Sequence, residues 1–393
     1  MKPFFKVTAF LLAVVMIIFS VGCTPISMNA EWSYRYNDQE LAIGVYIYSL
    51  DQAYSQAKGF AQSNENYSTD KSFMDLEITD DDGNKMIARE WILKEADRIT
   101  KSILVIDDEL KKLNVTVGQA TLDEAKKTAE TAWNVGLYAE YGYFDPMSAV
   151  LEPYGISFDS FYKSSYEAMA KQSALFEAIY GKGGTKAVSD EELTKYFTEN
   201  YTDYSYFAVN LYTSETNEDG STKNTAFTDD QIKAVEKELN GYVGNIKQGY
   251  TYDDVVKAYM DKNKVTTNPT QAGTEILENS SMGSEIKTAL EKLAEGTATT
   301  IKVGEGETAQ MYFIYKGKSA DKSKTYFKDA NARANVVSNM KAEEFNDYID
   351  NLVNTIKPEV NKAQIDRYNP DMFFVPVAPT TEATTTAEET KAE

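Results

Sequence analysis

Apolar side chains recur at helical spacing through the first half of the chain. The segment over residues 38–62 begins with the run LAIGVYIY, which is apolar on nearly every side and therefore predicts a deeply buried helix. Thr121 with Glu124, and Ser189 with Glu192, have the spacing of a capping box, which favours a helix start at each pair. Further helices are predicted by the same periodicity over residues 85–113, 121–141, 157–180 and 189–200.

The pattern changes after Tyr204, where short β-branched and aromatic runs alternate with amphipathic stretches. Strands are predicted over residues 206–212, 299–303 and 310–315, and helices over residues 228–248, 252–260 and 284–294. Thr228 with Gln231 makes a third capping box, and residues 213–227 form a polar loop. This succession predicts a compact α+β domain over residues 204–318.

A long amphipathic helix over residues 328–356, ended by Pro358, returns to the earlier helical pattern. Its apolar face needs a partner, so we expect it to fold back onto the first helices. Residues 38–203 and 319–360 then form one discontinuous helical domain, and the fold class is α+β, mostly helical. The end of the chain is rich in Thr, Ala, Glu and Pro, which predicts a disordered tail over residues 361–393.

The composition excludes several kinds of catalytic and binding site. The chain has no histidine and one cysteine, which excludes a Ser/His/Asp triad, a Cys/His dyad and an intrachain disulfide. Its formal charge of −21 argues against binding to nucleic acid and to anionic lipid headgroups. The DDDG run at 80–83 is no EF-hand loop, because Ile78 and Arg89 would occupy its first and twelfth ligand positions. No metal and no cofactor are expected.

The amino end has the features of an export signal. Lys2 and Lys6 precede an apolar run over residues 10–19, which is too short for a membrane-spanning helix of about 20 residues. Small residues then precede Cys23, a pattern similar to a bacterial lipobox. We therefore expect a lipoprotein signal over residues 1–22, a lipid on Cys23, a tether over residues 23–37 and attachment to the extracytoplasmic face of the cytoplasmic membrane. An ordinary cleaved signal and an uncleaved anchor are the alternatives.

Several local motifs resemble the PrsA/SurA-type extracytoplasmic foldases, which are helical chaperones with an inserted parvulin peptidyl-prolyl isomerase domain. The matching segments are VSDEEL with Tyr196 and Phe197, IKQG followed by the helix from Tyr252, Met282 with the helix ending at Gly296, and the strand over residues 311–315. The resemblance implies a helical chaperone domain similar to the SurA amino-terminal domain, with residues 204–318 as a parvulin-like insert.

The resemblance also assigns candidate site residues. Asn210 and Tyr312 stand where the family has catalytic histidines, and Ile286 stands where a phenylalanine commonly lines the proline pocket. Met282 and Ile286 are the peptide-binding candidates of this domain. Asparagine and tyrosine form hydrogen bonds but do not reproduce a histidine pair. Isomerisation is therefore expected to be weak or absent.

Tyrosine is abundant, with 27 residues. Two interpretations are open: some of these side chains line a cleft for unfolded segments, with Tyr162 and Tyr166 as peptide-binding candidates, or most of them pack the helical core. Other candidates for such a cleft are Tyr46, Tyr48, Tyr54, Tyr138, Tyr141 and Tyr143.

Two function classes follow from these observations. The first is a membrane-anchored chaperone whose partners are unfolded or partly folded exported polypeptides, with membrane contact through Cys23 and no nucleic acid. The alternative is an envelope lipoprotein that binds a small solute or a cell-wall component and has no folding role. Two βαβ lobes, which a solute receptor of the periplasmic type needs, are not predicted by this helix-rich pattern.

Overall fold

The computed structural model describes residues 31–138 and 141–376. The predicted signal over residues 1–22, Cys23 and residues 377–393 of the predicted tail lie outside the described residues. The described chain divides into two compact units. We call residues 31–186 with residues 343–376 the helical unit, and residues 187–342 the sheet unit. The chain is α+β and mostly helical, as predicted.

The helices are α1 Ile43–Ala61, α2 Ala88–Lys112, α3 Gln119–Asn134, α4 Met147–Leu151, α5 Phe158–Tyr162, α6 Ala168–Tyr180, α7 Asp190–Asn200, α8 Asp229–Lys247, α9 Tyr252–Asn263, α10 Ser284–Lys292, α11 Ser319–Tyr326, α12 Ala330–Thr355 and α13 Lys362–Ile365. The strands are β1 Trp32–Tyr36, β2 Gln39–Ala42, β3 Glu77–Thr79, β4 Lys85–Ile87, β5 Thr202–Asn210, β6 Tyr212–Thr216, β7 Thr222–Ala226, β8 Gln271–Glu275, β9 Thr297–Val303, β10 Gln310–Lys316 and β11 Glu359–Val360. A π-helical turn, Lys163–Glu167, joins α5 to α6.

Helix α1 forms the centre of the helical unit and packs along α2. Its first turns are buried on nearly every side, as the apolar run predicted. The first helix is predicted to begin at Asp38, but it begins at Ile43, because residues 39–42 form β2. The predicted tether over residues 23–37 is wrong in part, since Trp32–Tyr36 form β1, which pairs with β2 as a hairpin directly before α1. Tyr34 on β1 is 2% exposed and donates a hydrogen bond to Asp97 at 2.8 Å. Burial of side chains such as Tyr34 stabilises β1 as a strand, although the residues next to it in sequence are polar.

The carboxyl-terminal segment is built into the same unit, so the predicted disorder of residues 361–376 is wrong. Strand β11 pairs with β1, and Phe373 lies between the rings of Tyr54 and Tyr154, with centroids at 5.5 and 4.9 Å. Arg89 donates two hydrogen bonds to the carboxylate of Asp371, at 2.5 and 3.2 Å. This segment is ordered because Tyr54, Tyr154 and Arg89, which are distant in sequence, bury Phe373 and bind Asp371. We call residues 359–373 the C-terminal strap.

The end of helix α12 also packs within the helical unit. Arg98 forms an ion pair with Asp350 at 2.9 Å, and Tyr348 donates a hydrogen bond to Glu109 at 2.5 Å. The ring of Phe345 contacts that of Phe176 edge-on, at 5.2 Å between centroids. These contacts tie the part of α12 after residue 342 to α2 and α6, whereas the part before it belongs to the sheet unit.

The sheet unit is organised around an antiparallel sheet with strand order β8-β5-β10-β9. Helices α8 and α9 cover one face through a cluster that includes Phe207 and Phe313, and α10 covers the other through Leu290 and Ile314. The unit also contains α7 and α11, which meet where Phe197 contacts the ring of Tyr326 at 5.1 Å. It therefore extends beyond residues 204–318 on both sides.

Two of the predicted capping boxes are confirmed and one is wrong. Ser189 with Glu192 caps α7, and Thr228 with Gln231 caps α8, each through reciprocal bonds between side chain and backbone. Helix α3 instead begins at Gln119 after Gly118, without a side-chain cap, so Thr121 lies inside the helix. The predicted loop over residues 213–227 is a hairpin of β6 and β7. None of the helices among the described residues has the length and hydropathy needed to cross a bilayer.

Candidate functional site

One face of the sheet in the sheet unit carries a row of tyrosine rings. Alternate residues of β5 and β10 point to this face, which places Tyr204, Tyr206 and Tyr312 side by side. The ring centroids of Tyr204 and Tyr206 are 6.1 Å apart, and those of Tyr206 and Tyr312 are 5.9 Å apart. Met282 and Ile286 pack into the same cluster. The structure thus brings together three predicted site residues, Tyr312, Met282 and Ile286.

Each of the three tyrosine hydroxyls donates a hydrogen bond to a side-chain oxygen. Tyr204 donates to Glu275 at 2.6 Å, Tyr206 donates to Gln271 at 2.6 Å, and Tyr312 donates to Gln310 at 2.8 Å. These acceptors lie on β8 and β10, and sequence reasoning missed all of them. Of these acceptors, Gln310 could have been inferred from the sequence, because it precedes Tyr312 by two residues and therefore lies on the same face of the strand.

Asn210 reaches Tyr312 only through Gln310. The amide nitrogen of Gln310 donates to the Asn210 side-chain oxygen at 2.8 Å, and Asn210 itself is exposed at the end of β5. The two positions that match the family's histidines are therefore linked by an intermediate glutamine. They form no direct donor–acceptor pair.

The electrostatics of this face favour hydrogen-bond donation. Burial raises the pKa of Tyr204, and the adjacent Glu275 carboxylate raises it further. Burial also raises the pKa of Tyr206, with added repulsion from Tyr312 and Glu275. These two hydroxyls therefore stay protonated at neutral pH and do not act as bases. The described residues contain no group of His, Cys, Asp and Glu side chains suited to a metal ion.

Tyr162 and Tyr166 lie in the helical unit, on the helical stretch formed by α5 and the π-helical turn. Tyr162 stacks on Phe158 with centroids 6.2 Å apart and donates a hydrogen bond to the Leu122 carbonyl at 3.2 Å. Tyr166 meets the ring of Phe161 edge-on at 5.7 Å. Both side chains are partly buried against the core, and their role in peptide binding stays a prediction.

The other tyrosines proposed for a cleft divide into two groups. Tyr46, Tyr48 and Tyr54 are 2, 3 and 7% exposed, so these three pack the core. Tyr138, Tyr141 and Tyr143 are 46, 70 and 65% exposed. The cleft interpretation is therefore wrong for the first group, because α1 is enclosed by its neighbours.

Exposed apolar side chains are concentrated in the part of the sequence that contains these three tyrosines. In the described part of the chain, ten large apolar or aromatic side chains are exposed, and six of them lie between residues 135 and 150. We call these six side chains the aromatic patch: Val135, Tyr138, Tyr141, Tyr143, Phe144 and Val150. Phe144, at 68%, is among the most exposed. Such clustering differs from the scattered single apolar residues that are normal on a protein surface.

Four of the six patch side chains lie between Gly136 and Asp145, in a loop whose two ends touch. Gly136 has a φ of +128° and approaches Asp145 so closely that a Cβ atom there would lie 2.7 Å from the Asp145 amide nitrogen. Beyond the loop's ends, Trp133 and Met147 are buried in the core. The helix predicted to reach Tyr141 ends at Asn134 instead, because Gly136 adopts this conformation. The chain then closes a loop with its aromatic side chains in solvent.

No protein-family model and no curated protein sequence matches this chain. Structural similarity was found to the foldase protein PrsA from Streptococcus pneumoniae, with 12% sequence identity over 75% of this chain and 98% of that chain and a TM-score of 0.33. PrsA from Bacillus subtilis aligns with 16% identity over 76% of this chain and 98% of that chain, with a TM-score of 0.27. Sequence identities and TM-scores this low support no conclusion about activity.

Proposed function

We propose that this protein is a membrane-anchored, extracytoplasmic chaperone that holds unfolded or partly folded exported polypeptides. The aromatic patch of the helical unit is the observation that carries the proposal. Six of the ten exposed large apolar side chains of the described residues lie within residues 135–150, and a grouping of this kind marks an interaction site. Tyrosine combines a large apolar ring with a polar tip, which suits contact with many different sequences.

The way in which the patch is held supports this role. The contact of Gly136 with Asp145, together with the burial of Trp133 and Met147, anchors the base of the loop in the helical unit. Side chains presented from such a loop bind with less loss of conformational entropy than those of an unanchored segment. The strong negative charge of the chain, −21, adds solubility to any complex with an apolar client.

The sheet unit contributes a second, non-catalytic contact surface in this proposal. Met282 and the tyrosine row are partly buried and leave some apolar surface open to a client segment, whereas Ile286 is 7% exposed and supports them from below. Because the three hydroxyls are already bonded to Glu275, Gln271 and Gln310, and no imidazole is available, we infer that this surface isomerises prolyl bonds poorly.

The experiment that tests the proposal removes the aromatic tip. We expect the triple variant Tyr141→Ser, Tyr143→Ser, Phe144→Ser to lose most of its ability to slow aggregation of an unfolded client, measured by light scattering. Truncating a central aromatic contact costs about 2 kcal/mol or more, so client affinity should fall by at least about tenfold.

A matched control removes three exposed apolar side chains elsewhere. The variant Leu93→Ser, Met169→Ser, Tyr250→Ser changes residues that are 40, 47 and 55% exposed and lie outside the patch. It should keep the holding activity. Circular dichroism establishes that both variants are folded. A folded patch variant that protects the client as well as the unmodified chain does would overturn the proposal.

A further inference from the structure

The sheet unit has a groove on the face of its sheet that is opposite the tyrosine row. Ser205 of β5 and Tyr315 of β10 are paired directly across the two strands, and both line this groove. Because side chains alternate along a strand, these two lie on the face that α8 and α9 cover. The volume of the groove is about 530 Å³, and ligand sites in proteins have volumes of roughly 300–1,000 Å³.

Tyrosine rings form one wall of the groove. Gly249, with a φ of +95°, makes the turn between α8 and α9 that carries Tyr250 and Tyr252. Tyr252 is buried, and its ring centroid lies 5.9 Å from that of Tyr315. Tyr250 is 55% exposed. The groove therefore offers apolar ring surface to an occupant, from a buried base to an exposed edge.

Two lysines without ion pairs also line the groove. Lys247 ends α8, and Lys318 lies between β10 and α11. Neither forms an ion pair in the part of the chain that the structure describes. The Lys318 side chain crosses the groove's edge at Gly296, where an added Cβ atom would lie 2.9 Å from the Lys318 Cε. The sequence segments that carry the two lysines, residues 239–252 and 308–320, contain no acidic residue.

The carboxylates that act on Tyr315 already have cationic partners. Burial raises the pKa of Tyr315, and Asp203 and Asp321 raise it further, so its hydroxyl remains a hydrogen-bond donor. Asp203 forms an ion pair with Lys322 at 3.1 Å, and Asp321 forms one with Lys324 at 2.8 Å. These two pairs neutralise the acids nearest to the Tyr315 hydroxyl.

Of the acids next to the lining, one is unpaired. Asp254 caps α9 through Thr251, and Glu295 accepts the backbone N–H of Ser319 at 3.2 Å. Asp253 is itself a lining residue and forms no ion pair among the described residues. The lining therefore has two cations and one anion, in a chain whose formal charge is −21.

We propose that this groove binds a polypeptide segment in which one aspartate or glutamate lies next to an aromatic residue. The two lysines attract the carboxylate, and the tyrosine rings pack against the aromatic side chain. Most of the lining residues are exposed, so an extended segment can lie across the groove. An anionic bilayer or a nucleic acid is disfavoured as occupant, because many negative charges would then meet a strongly acidic chain. The inference goes beyond the proposed function and uses no residue of the aromatic patch.

The test compares three labelled, amidated hexapeptides that differ only at the position next to a phenylalanine, where they carry glutamate, serine or lysine. Binding to the full chain is measured by fluorescence anisotropy. We expect the glutamate peptide to bind roughly three- to tenfold more tightly than the serine peptide, since two exposed charge pairs contribute on this scale. The lysine peptide should bind most weakly, and the differences should shrink as salt is added.

Removal of the two lysine charges locates the effect. The variant Lys247→Gln, Lys318→Gln should lose the preference for the glutamate peptide and keep its affinity for the serine peptide. The control Lys223→Gln, Lys233→Gln makes the same change in net charge at exposed positions of the same unit that lie outside the groove, and it should keep the preference. An equal loss in both variants would mean that net charge acts without the groove, and it would overturn the inference.

The remaining outcomes distinguish other occupants and keep this inference separate from the proposed function. Equal binding of all three peptides by the unmodified chain would overturn the inference and leave the holding function, which client protection tests, in place. Displacement of the glutamate peptide by an equal concentration of inorganic phosphate would assign the lysines to small anions and overturn it. Tighter binding to vesicles rich in anionic lipid than to the glutamate peptide would overturn it as well. The holding-assay control, which carries Tyr250→Ser, leaves both lysines in place and should retain the preference for the glutamate peptide.

Discussion

Asp51 is a partly buried acid on α1 of the helical unit, and replacing it with asparagine should stabilise the protein at neutral pH. Its carboxylate lies on α1 near Tyr48, Tyr54 and Tyr154, whose pKa values it raises. Within the described part of the chain, its only side-chain hydrogen bond is a 3.4 Å contact donated by Gln52. Desolvation raises the pKa of Asp51 from 3.8 to about 6, and no cation among the described residues opposes it.

The sign and size of the effect follow from proton linkage. The folded state holds a proton on Asp51 at pH values where the unfolded state has lost it, so the free energy of unfolding falls as pH rises from about 4 to about 6. A carboxyl pKa raised from 3.8 to about 6 corresponds to a cost of about 3 kcal/mol at pH 7 and above, and about half of that at pH 5. Asparagine has the same shape and carries no charge.

We therefore expect the advantage of Asp51→Asn over the unmodified chain to grow by about 1–1.5 kcal/mol between pH 5 and pH 8. Urea unfolding followed by tryptophan fluorescence measures it, because Trp32, Trp91 and Trp133 are the only tryptophans and all belong to the helical unit. Working at pH 5 and above avoids the isoelectric point near 4.6.

The control is Asp81→Asn, an exposed acid in a turn, which should change stability by less than about 0.5 kcal/mol at either pH. The reasoning is refuted if the stability difference for Asp51→Asn does not vary with pH. It is also refuted if the asparagine variant is the less stable one at pH 8, because that result would mean the carboxylate has a stabilising partner.

Three further predictions concern the strap, the sheet face and the anchor. Phe373→Ala should lower the free energy of unfolding of the helical unit by about 3–5 kcal/mol, because it empties the space between two tyrosine rings, whereas Phe374→Ala should cost less. In a protease-coupled prolyl assay the chain should accelerate isomerisation little, and a rate near that of active parvulins, reduced by Asn210→Ala or Tyr312→Phe, would contradict this. Cys23→Ala should release the protein from membranes or leave its precursor uncleaved, and unchanged fatty-acid labelling and fractionation would rule out that lipid site.

The amino-acid sequence by itself determined the features that depend on near neighbours. Helix α8 carries its apolar stripe and its capping box within about twenty residues, so its start at Asp229 follows from Thr228 and Gln231 alone. The burial of α1 followed from a run that is apolar on every side. The resemblance to a family is what predicts that Tyr312, Met282 and Ile286 belong to one site. No local sequence pattern indicates that a strand packs against the turn and helix that precede it in the chain.

Tertiary structure decided the features whose partners are far apart in sequence. Strand β8 has little apolar alternation and forms at the sheet edge because β5 supplies its hydrogen bonds. Gln310 joins Asn210 to Tyr312 only because register places Gln310 opposite Asn210. The predicted disordered tail includes residues 361–376, yet Phe373 is buried by two tyrosines more than two hundred residues away. Burial against distant groups contributes free energy that no local pattern contains, and for that reason the strap could not be predicted from the sequence.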